Sequence, residues 1–495
     1  MTHRTTTFTF ILVFTFLAGL ANAQRPNILL ILSDDHSLPH VGAYGGNCRE
    51  LGLTPNLDSF AAQGMLFHRA YTAAPQCAPS RAAIFSGRSP VGIAATRFAQ
   101  PARAGTPFFT DLLRDSGYWV GLDGRHQHLE GRVRDSNVVN EALIKQGMKG
   151  PEFEARFDHF VQSWSTRRPP EEVGHRVGEI LDLVPNGKPW FLYFGFNQPH
   201  RRWGTDHDGI DPDKLSLPPD WPDLPEVRLD YARYLSDVRD LDRRFGEILQ
   251  VLDRRGLKEN TLVIFMGDNG EALLRGKGTL HTRGTHVPLI VRWPGKVQTG
   301  SESPHLISGV DLAPTILDAA TVEPAKGMPP KRMPPKRMTG HSFLDVLLGK
   351  RVESQKYVFA ERGWHWGSLL NTEGFDLSRS VTSQRHHYIF NAIPEREFAP
   401  VDMTRKNIAW KAVQDSRAAG KLLPLHERLY FQNPRPIFEL YDLKSDPFQL
   451  NNLAGKAKSK EIETEMRTEL VRWMVSEGDY LPLPSDIMRT TPANK

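Results

Sequence analysis

Cysteine is nearly absent from this chain. Its 495 residues hold two, Cys48 and Cys77, so it can close at most one disulfide, between those two positions. An excess of one charge sign is missing too. Lysine and arginine number 62 against 57 aspartates and glutamates, a formal balance of +5. No Lys/Arg run or interleaved aromatic array is present, which argues against a nucleic-acid partner. The mild positive balance would help collect anionic substrates, although a solvated surface explains it equally well. Long apolar runs are also lacking. After the first 23 residues no segment approaches the length of a membrane span.

What remains has an ordinary globular composition. With 39% apolar and 24% charged residues, the chain is long enough for two domains. Residues 1–23 read as a signal peptide. Arg4 gives a positive start, Phe8 to Leu20 is mostly apolar, and Ala21-Asn22-Ala23 is a small-x-small cleavage site. The competing reading is an N-terminal membrane anchor, for which the apolar run is short. The expectation is a mature protein exported to the periplasm or the medium, with no membrane span.

The chain is organised as short apolar runs, each followed by polar residues capable of chemistry. Asn27 to Leu32 leads into Ser33-Asp34-Asp35-His36, and Tyr118 to Leu122 into Gly124-Arg125-His126-Gln127-His128. Trp190 to Phe196 leads into Asn197-Gln198-Pro199-His200, and Thr261 to Met266 into Gly267-Asp268-Asn269-Gly270. Such runs suit strands buried on both faces, and helical patterns such as Asp230 to Arg255 lie between them. The expected fold is α/β: a large, mixed, mostly parallel sheet flanked by helices. Sites in such sheets form beyond the carboxyl ends of the strands. Asp34, Asp35, Asp268 and Asn269 are short oxygen ligands at two of those ends, a set that suits a hard divalent cation, Ca²⁺ or Mg²⁺.

One further stretch carries chemistry: Cys77-Ala78-Pro79-Ser80-Arg81, continuing through Ile84 to Ser86-Gly87. Pro79 suits the first turn of a helix and Gly87 can end it. Cys77 then sits just before a helix N-terminus, where free N–H groups favour an anion, and Arg81 adds a charge about one turn on. A disulfide between Cys48 and Cys77 is the bland alternative.

Cys-x-Pro-Ser-Arg followed by a Ser/Thr-Gly pair resembles the signature of the type I sulfatases of the alkaline phosphatase superfamily. The resemblance covers nearly the whole mature chain. It implies that Cys77 is oxidised to formylglycine (3-oxoalanine) by a formylglycine-generating or anaerobic maturation enzyme. It also implies that Asp34, Asp35, Asp268, Asn269 and the modified Cys77 ligate a metal, Ca²⁺ rather than Mg²⁺. Arg81 falls within the signature. His200, in Asn-Gln-Pro-His, resembles the histidine that faces the leaving-group oxygen. Lys277, in a Lys-Gly stretch running to Pro288-Leu289, resembles the sulfate-binding lysine.

One element departs from the family pattern. Most members carry Gly-Lys-x-His where this chain has Gly124-Arg125-His126-Gln127-His128. Arg125 can supply the charge as a planar fork. The histidine partner is either His128 or His126. His128 is favoured because it precedes Leu129-Glu130-Gly131 much as the family histidine precedes its Leu-Gly.

Substrate neighbours are expected among Arg201, Arg202 and Trp203, directly after His200, with His126, His281 and His286 as weaker candidates. Trp364-His365-Trp366 could stack on a sugar or fill a domain interface. A tandem Met-Pro-Pro-Lys-Arg at 328–337 is given no role. Residues 24–355 are expected to form the catalytic domain. Residues 356–495 are expected to form a smaller subdomain, an antiparallel sheet with a helix. The implied activity is hydrolysis of sulfate esters, on a sulfated carbohydrate. Alternatives are a sulfamidase of the heparan N-sulfatase-like branch, a phosphatase or phosphonate monoester hydrolase of the same superfamily, and an unmodified carbohydrate-binding protein held by a 48–77 disulfide.

Overall fold

The computed structural model of the chain describes residues 25–98, 100–125, 127–130, 137–161, 165–322, 338–365, 375–403 and 407–483. The proposed signal peptide, His126, Trp366 and the tandem repeat lie outside the described residues. In chain order the strands of the first part are β1 (Asn27–Ser33), β2 (Met65–Phe67), β3 (Ala70–Tyr71), β4 (Trp119–Asp123), β5 (His159–Val161), β6 (Trp190–Gly195), β7 (Thr261–Gly267), β8 (Leu289–Arg292), β9 (Ser301–Ser303) and β10 (Ile307–Ser308). Eight of them form one sheet in the order β5-β4-β6-β1-β7-β8-β2-β9. Neighbouring strands from β5 through β7 pair in parallel. β8 runs antiparallel to both β7 and β2, while β9 is parallel to β2.

The long apolar runs are strands because both of their faces are covered. Ile28, Leu30 and Leu32 pack against Ile84 and Phe85 of the Cys77–Ser86 helix and Leu312 and Ile316 of the Leu312–Ala319 helix. Leu29 and Ile31 face the other way, onto Val177 and Ile180 of the Pro170–Asp182 helix and Leu241, Phe245 and Ile248 of the Pro225–Arg254 helix. Every residue of β1 is buried, so truncating one of these leucines to alanine costs about 2–5 kcal/mol. The long helix starts five residues earlier than the sequence pattern suggests, with Pro225 in its first turn.

A second sheet follows, formed by β11 (Val358–Arg362), β12 (Ser378–Thr382), β13 (His386–Asn391) and β14 (Phe438–Asp442), antiparallel throughout. Met466, Leu470 and Met474 of the Lys460–Glu477 helix pack on its Val381, Tyr388 and Leu440. This is the antiparallel sheet with a helix expected from the C-terminal pattern. Among the described residues no helix is long and apolar enough to cross a membrane.

Because β1, β4, β6 and β7 are parallel, their carboxyl ends share one edge of the sheet. The backbone ladder continues past them: Asp34 N–H donates to Gln198 O at 2.9 Å, and Asp268 N–H to Ser33 O at 3.0 Å. The residues after these strands are thereby held in one place.

Candidate active site

The Cys77–Ser86 helix points its first turn at that edge. Gln76 caps it in extended backbone, and Gly87 ends it in the left-handed region at φ 62°. The helix starts at Cys77 itself, not after it as the sequence suggests. Its Sγ lies 3.2 Å from Asp34 Oδ1 and 3.7 Å from Asp35 Oδ1. Arg81, one turn later, donates from Nε to Asp268 Oδ2 at 2.9 Å and from Nη2 to Asp34 Oδ2 at 3.3 Å. Its Nη1 donates to the Tyr193 hydroxyl on β6. The hydroxyl of Ser80 donates to the Asp268 carbonyl, which ties the helix to the end of β7.

Arg125 reaches the same cluster from the end of β4 and donates to Asp34 Oδ2. Its approach depends on Gly124, whose φ is 76° and whose hypothetical Cβ would stand 2.3 Å from the Gly195 carbonyl oxygen. Arg125 itself adopts φ 55°. His128, in the short Gln127–Glu130 helix, is buried, and one of its ring nitrogens lies within 4.8 Å of Asp34, Cys77 and Asp268 ligand atoms. Its Nδ1 has no hydrogen-bond partner among the described residues. Lys277 Nζ is 2.8 Å from Asp35 Oδ1 and 2.7 Å from Asp402 Oδ2. His200 Nε2 lies 3.8 Å from both Asp35 and Asp402. Asn269 Nδ2 donates to Asp35 Oδ1 at 2.9 Å.

Cys77, Asp34, Asp35, Asp268, Asn269, Arg81, Arg125, His128, His200 and Lys277 thus converge on one cleft. The other candidates are not among these residues, and most have partners of their own. Asp230 grips the Arg201 guanidinium at 2.6 and 3.0 Å, and that guanidinium lies over the Trp203 ring. Arg202 is exposed. His281 pairs with Glu439 at 3.3 Å and packs near Tyr441. His286 stacks on Tyr71 with its Nε2 at 2.8 Å from the His68 carbonyl. His365 is buried beside Phe98, whose ring also neighbours His128. Trp364 lies under the Arg97 guanidinium. The 48–77 disulfide is not formed. Both cysteines are free, and Cys48 packs instead in a separate cluster with Leu53, Trp221 and Tyr231.

Two residues of the cleft escaped the sequence reading, Tyr193 and Asp402. Tyr193 sits inside an apolar strand run and reads as core. Asp402 lies in a loop far along the chain, with no motif around it.

The electrostatics fit a divalent cation. Burial pushes Asp35 up to about 7 against the pull of Lys277, and Asp268 up to about 6 against that of Arg81. Burial also raises Asp34, but Arg125, His200, Arg81 and His128 outweigh it and hold that carboxyl well below its usual range. Two of the three carboxyls are therefore short of positive charge in a dry pocket, a deficit that a bound cation removes. Asn269 Oδ1 is buried and has no hydrogen-bond partner among the described residues, an orphaned acceptor of the kind a hard cation takes. Burial, with Asp34, pushes the Cys77 thiol well above its usual range, so the unmodified thiol is a poor nucleophile.

Residues 26–322 match the family model described as sulfatase. The chain belongs to the sulfatase family. It is a sulfuric ester hydrolase, and its fold is that of alkaline phosphatase-like proteins. Residues 270–390 also match the model described as N-sulphoglucosamine sulphohydrolase, C-terminal. This sulfatase is similar to an ulvan-active sulfatase of Formosa agariphila, 27% identical over 504 residues, with 93% of this chain and 76% of the relative covered. It is also similar to human N-sulphoglucosamine sulphohydrolase, 26% identical over 501 residues, covering 93% and 92% of the two chains. Among solved structures, BT4656 in complex with its substrate D-glucosamine-2-N,6-O-disulfate superposes with a TM-score of 0.66 at 18% identity, over 92% of this chain and 99% of that one.

Proposed function

We propose that this sulfatase is exported and removes sulfate from a carbohydrate, with Cys77 matured to formylglycine and a divalent cation, Ca²⁺ before Mg²⁺, in the cleft. The observation that carries the reading is the position of Cys77 Sγ, 3.2 Å from Asp34, inside a ring of Arg81, Arg125, Lys277, His128 and His200. The Arg4 to Ala23 pattern supports export. Sulfated glycans as substrates are supported by the names of the relatives.

Asp34, Asp35, Asp268 and Asn269, with position 77, would hold the cation, which when bound supplies Lewis-acid stabilisation of the sulfate oxygens. Formylglycine at 77, made by a maturation enzyme, supplies an oxygen nucleophile that the buried thiol cannot. Arg81, Arg125 and Lys277 face the sulfate and offset the charge developing in transfer. His200 is the proton donor to the departing oxygen. Burial, Lys277 and Arg125 lower it to about 4, so without substrate it rests as a neutral ring. The negative charge of a bound sulfate offsets Lys277 and Arg125 and favours the protonated ring that then donates. His128 is driven well below its usual range by burial and Arg125. It is therefore a neutral ring at position 77 that can accept a proton from a hydroxyl there.

A second reading has its own observation. The C-terminal match to N-sulphoglucosamine sulphohydrolase favours an N-sulfated sugar over an O-sulfated one. Parallel assays of the mature protein on aryl sulfate, aryl phosphate and defined N- and O-sulfated sugars decide among these. Turnover of aryl phosphate without aryl sulfate would overturn the sulfate reading in favour of a phosphatase or phosphonate hydrolase. Intact mass shows whether Cys77 has lost its sulfur.

A further inference from the structure

Asp402 is a fourth carboxylate in a cleft built for an anion, and no part of the sulfatase reading uses it. It reaches the site from the segment preceding the Ile408–Ala418 helix. Its Oδ2 takes a 2.7 Å bond from Lys277 Nζ and lies 3.8 Å from His200 Nε2. Its other oxygen, Oδ1, takes no hydrogen bond among the described residues, and 27% of the side chain is exposed. Its backbone is left-handed, at φ 62°, a conformation that aspartate adopts more readily than most residues. His365, buried beside Phe98, acts electrostatically on the same carboxylate.

A negative charge beside the sulfate-binding lysine works against an anionic substrate unless it does something for the rest of the molecule. Its position says what. His200 Nε2 is the atom assigned to the departing oxygen, so an acceptor 3.8 Å from it meets the sugar carbon next to the scissile bond. There it can accept from a hydroxyl or amino group, and there it repels a carboxylate.

We infer that Asp402 determines which sugar the enzyme desulfates, accepting a hydrogen bond from a hydroxyl or amino donor beside the scissile sulfate and excluding sugars with a carboxylate at that place. The substrate class is a sulfated neutral or amino sugar, not a sulfated uronic acid. This rests on the sulfatase reading above.

The test is a comparison of kcat/KM for the mature enzyme on monosulfated neutral sugars, monosulfated glucosamines, monosulfated hexuronic acids and an aryl sulfate. Asp402→Asn keeps the shape, and asparagine tolerates a left-handed backbone, so the variant is expected to fold. The wild type should favour a neutral or amino sugar. In Asp402→Asn the ratio of that sugar to the best uronic acid should fall by about tenfold or more. Asp402→Glu keeps the charge and should still reject uronic acids. The inference is overturned if the wild type prefers a uronic acid, or if the ratio moves by less than about twofold, within the scatter of a surface change. It is also overturned if Asp402→Asn slows aryl sulfate as much as sugar, since the residue would then only hold Lys277. Absence of turnover on every sulfate ester, aryl sulfate included, would fell the sulfatase reading and this inference with it. Turnover with an unmoved ratio fells the inference alone.

Discussion

Arg81 and Asp268 form an ion pair from which water is shut out. Nε donates to Oδ2 at 2.9 Å, Nη2 lies 2.8 Å from the same oxygen, and both side chains are completely buried. The other Asp268 oxygen accepts from the backbone N–H groups of Asp35 at 3.0 Å and Asn269 at 2.7 Å. One carboxylate therefore joins the Cys77–Ser86 helix to two of the strand ends. Asp268→Asn keeps the Oδ1 acceptor and removes the charge. We expect a destabilisation of about 1–3 kcal/mol, since Arg81 retains Asp34. Bound divalent metal should be lost and turnover should fall by about a thousandfold or more. Elemental analysis and steady-state kinetics on the folded variant check this, and full metal occupancy with normal turnover would falsify a shared metal site.

Cys77→Ser keeps the size of the side chain and removes the route to the aldehyde in a host that converts only cysteine. Turnover of aryl sulfate should drop by orders of magnitude with little change in melting temperature. The mass of tryptic peptides spanning residue 77 should show the wild type lighter than the encoded cysteine and the variant unmodified. Serine turnover close to wild type would point to another nucleophile.

The sequence makes the main sheet legible because β1, β6 and β7 are buried on both faces and so are apolar throughout. β12 was not legible. Its Ser378, Arg379, Ser380 and Thr382 are buried, yet by residue type they read as surface. They are tolerated because most find partners. Ser378 Oγ bonds Asn391 at 2.9 Å, Arg379 reaches Asp479 at 2.9 Å, and Thr382 Oγ1 meets His387 Nδ1 at 2.7 Å. The cleft divides in the same way. Asp34, Cys77 and Arg81 stand at a strand end or in a compact motif, where spacing exposes them, whereas Lys277 is marked only by the resemblance of its stretch to that of the family. Arg201 looked like a substrate neighbour because it follows His200, but sequence proximity carries no information about Asp230, 29 residues on, which claims its guanidinium. Asp402 lies 125 residues beyond Lys277, and only the folded chain brings the two together.

Glu361, at the end of β11, carries a pH dependence of its own. Burial pushes its carboxyl from 4.5 up to about 8, against the pull of Arg379 at 3.6 Å. Neither oxygen has a hydrogen-bond partner among the described residues. The folded protein therefore holds this proton more tightly than the unfolded chain does. The associated stability is fully present below the unfolded value near 4.5 and is lost as pH rises through about 8. Glu361→Gln should match the wild type at the acid end of that window. Above it the variant should be the more stable, with a gain on the order of a few kcal/mol. Denaturant titrations across the window check this, and parallel pH profiles for the two proteins would refute it.

His128 is the residue on which the departure from the family pattern turns. The loop after β4 carries Arg125 in the place of a lysine, and two histidines compete beside it. The geometry around His128 favours it: a buried ring within 4.8 Å of Cys77, with Nδ1 unpartnered among the described residues. Its folded environment keeps it neutral at ordinary pH, since burial and Arg125 lower it far below its usual range. A neutral ring at that distance is equipped to take a proton from a hydroxyl on residue 77, which is required after the sulfate has left its alcohol and not before. His128→Ala should therefore release one equivalent of alcohol in a rapid burst and then nearly stop, with steady-state turnover down by about 10²–10⁴-fold. His126→Ala should slow the enzyme without producing a burst. Rapid-quench measurements with an aryl sulfate on the matured variants distinguish the two. A burst confined to His126→Ala would transfer the role to that residue and leave His128 as packing beside Phe98.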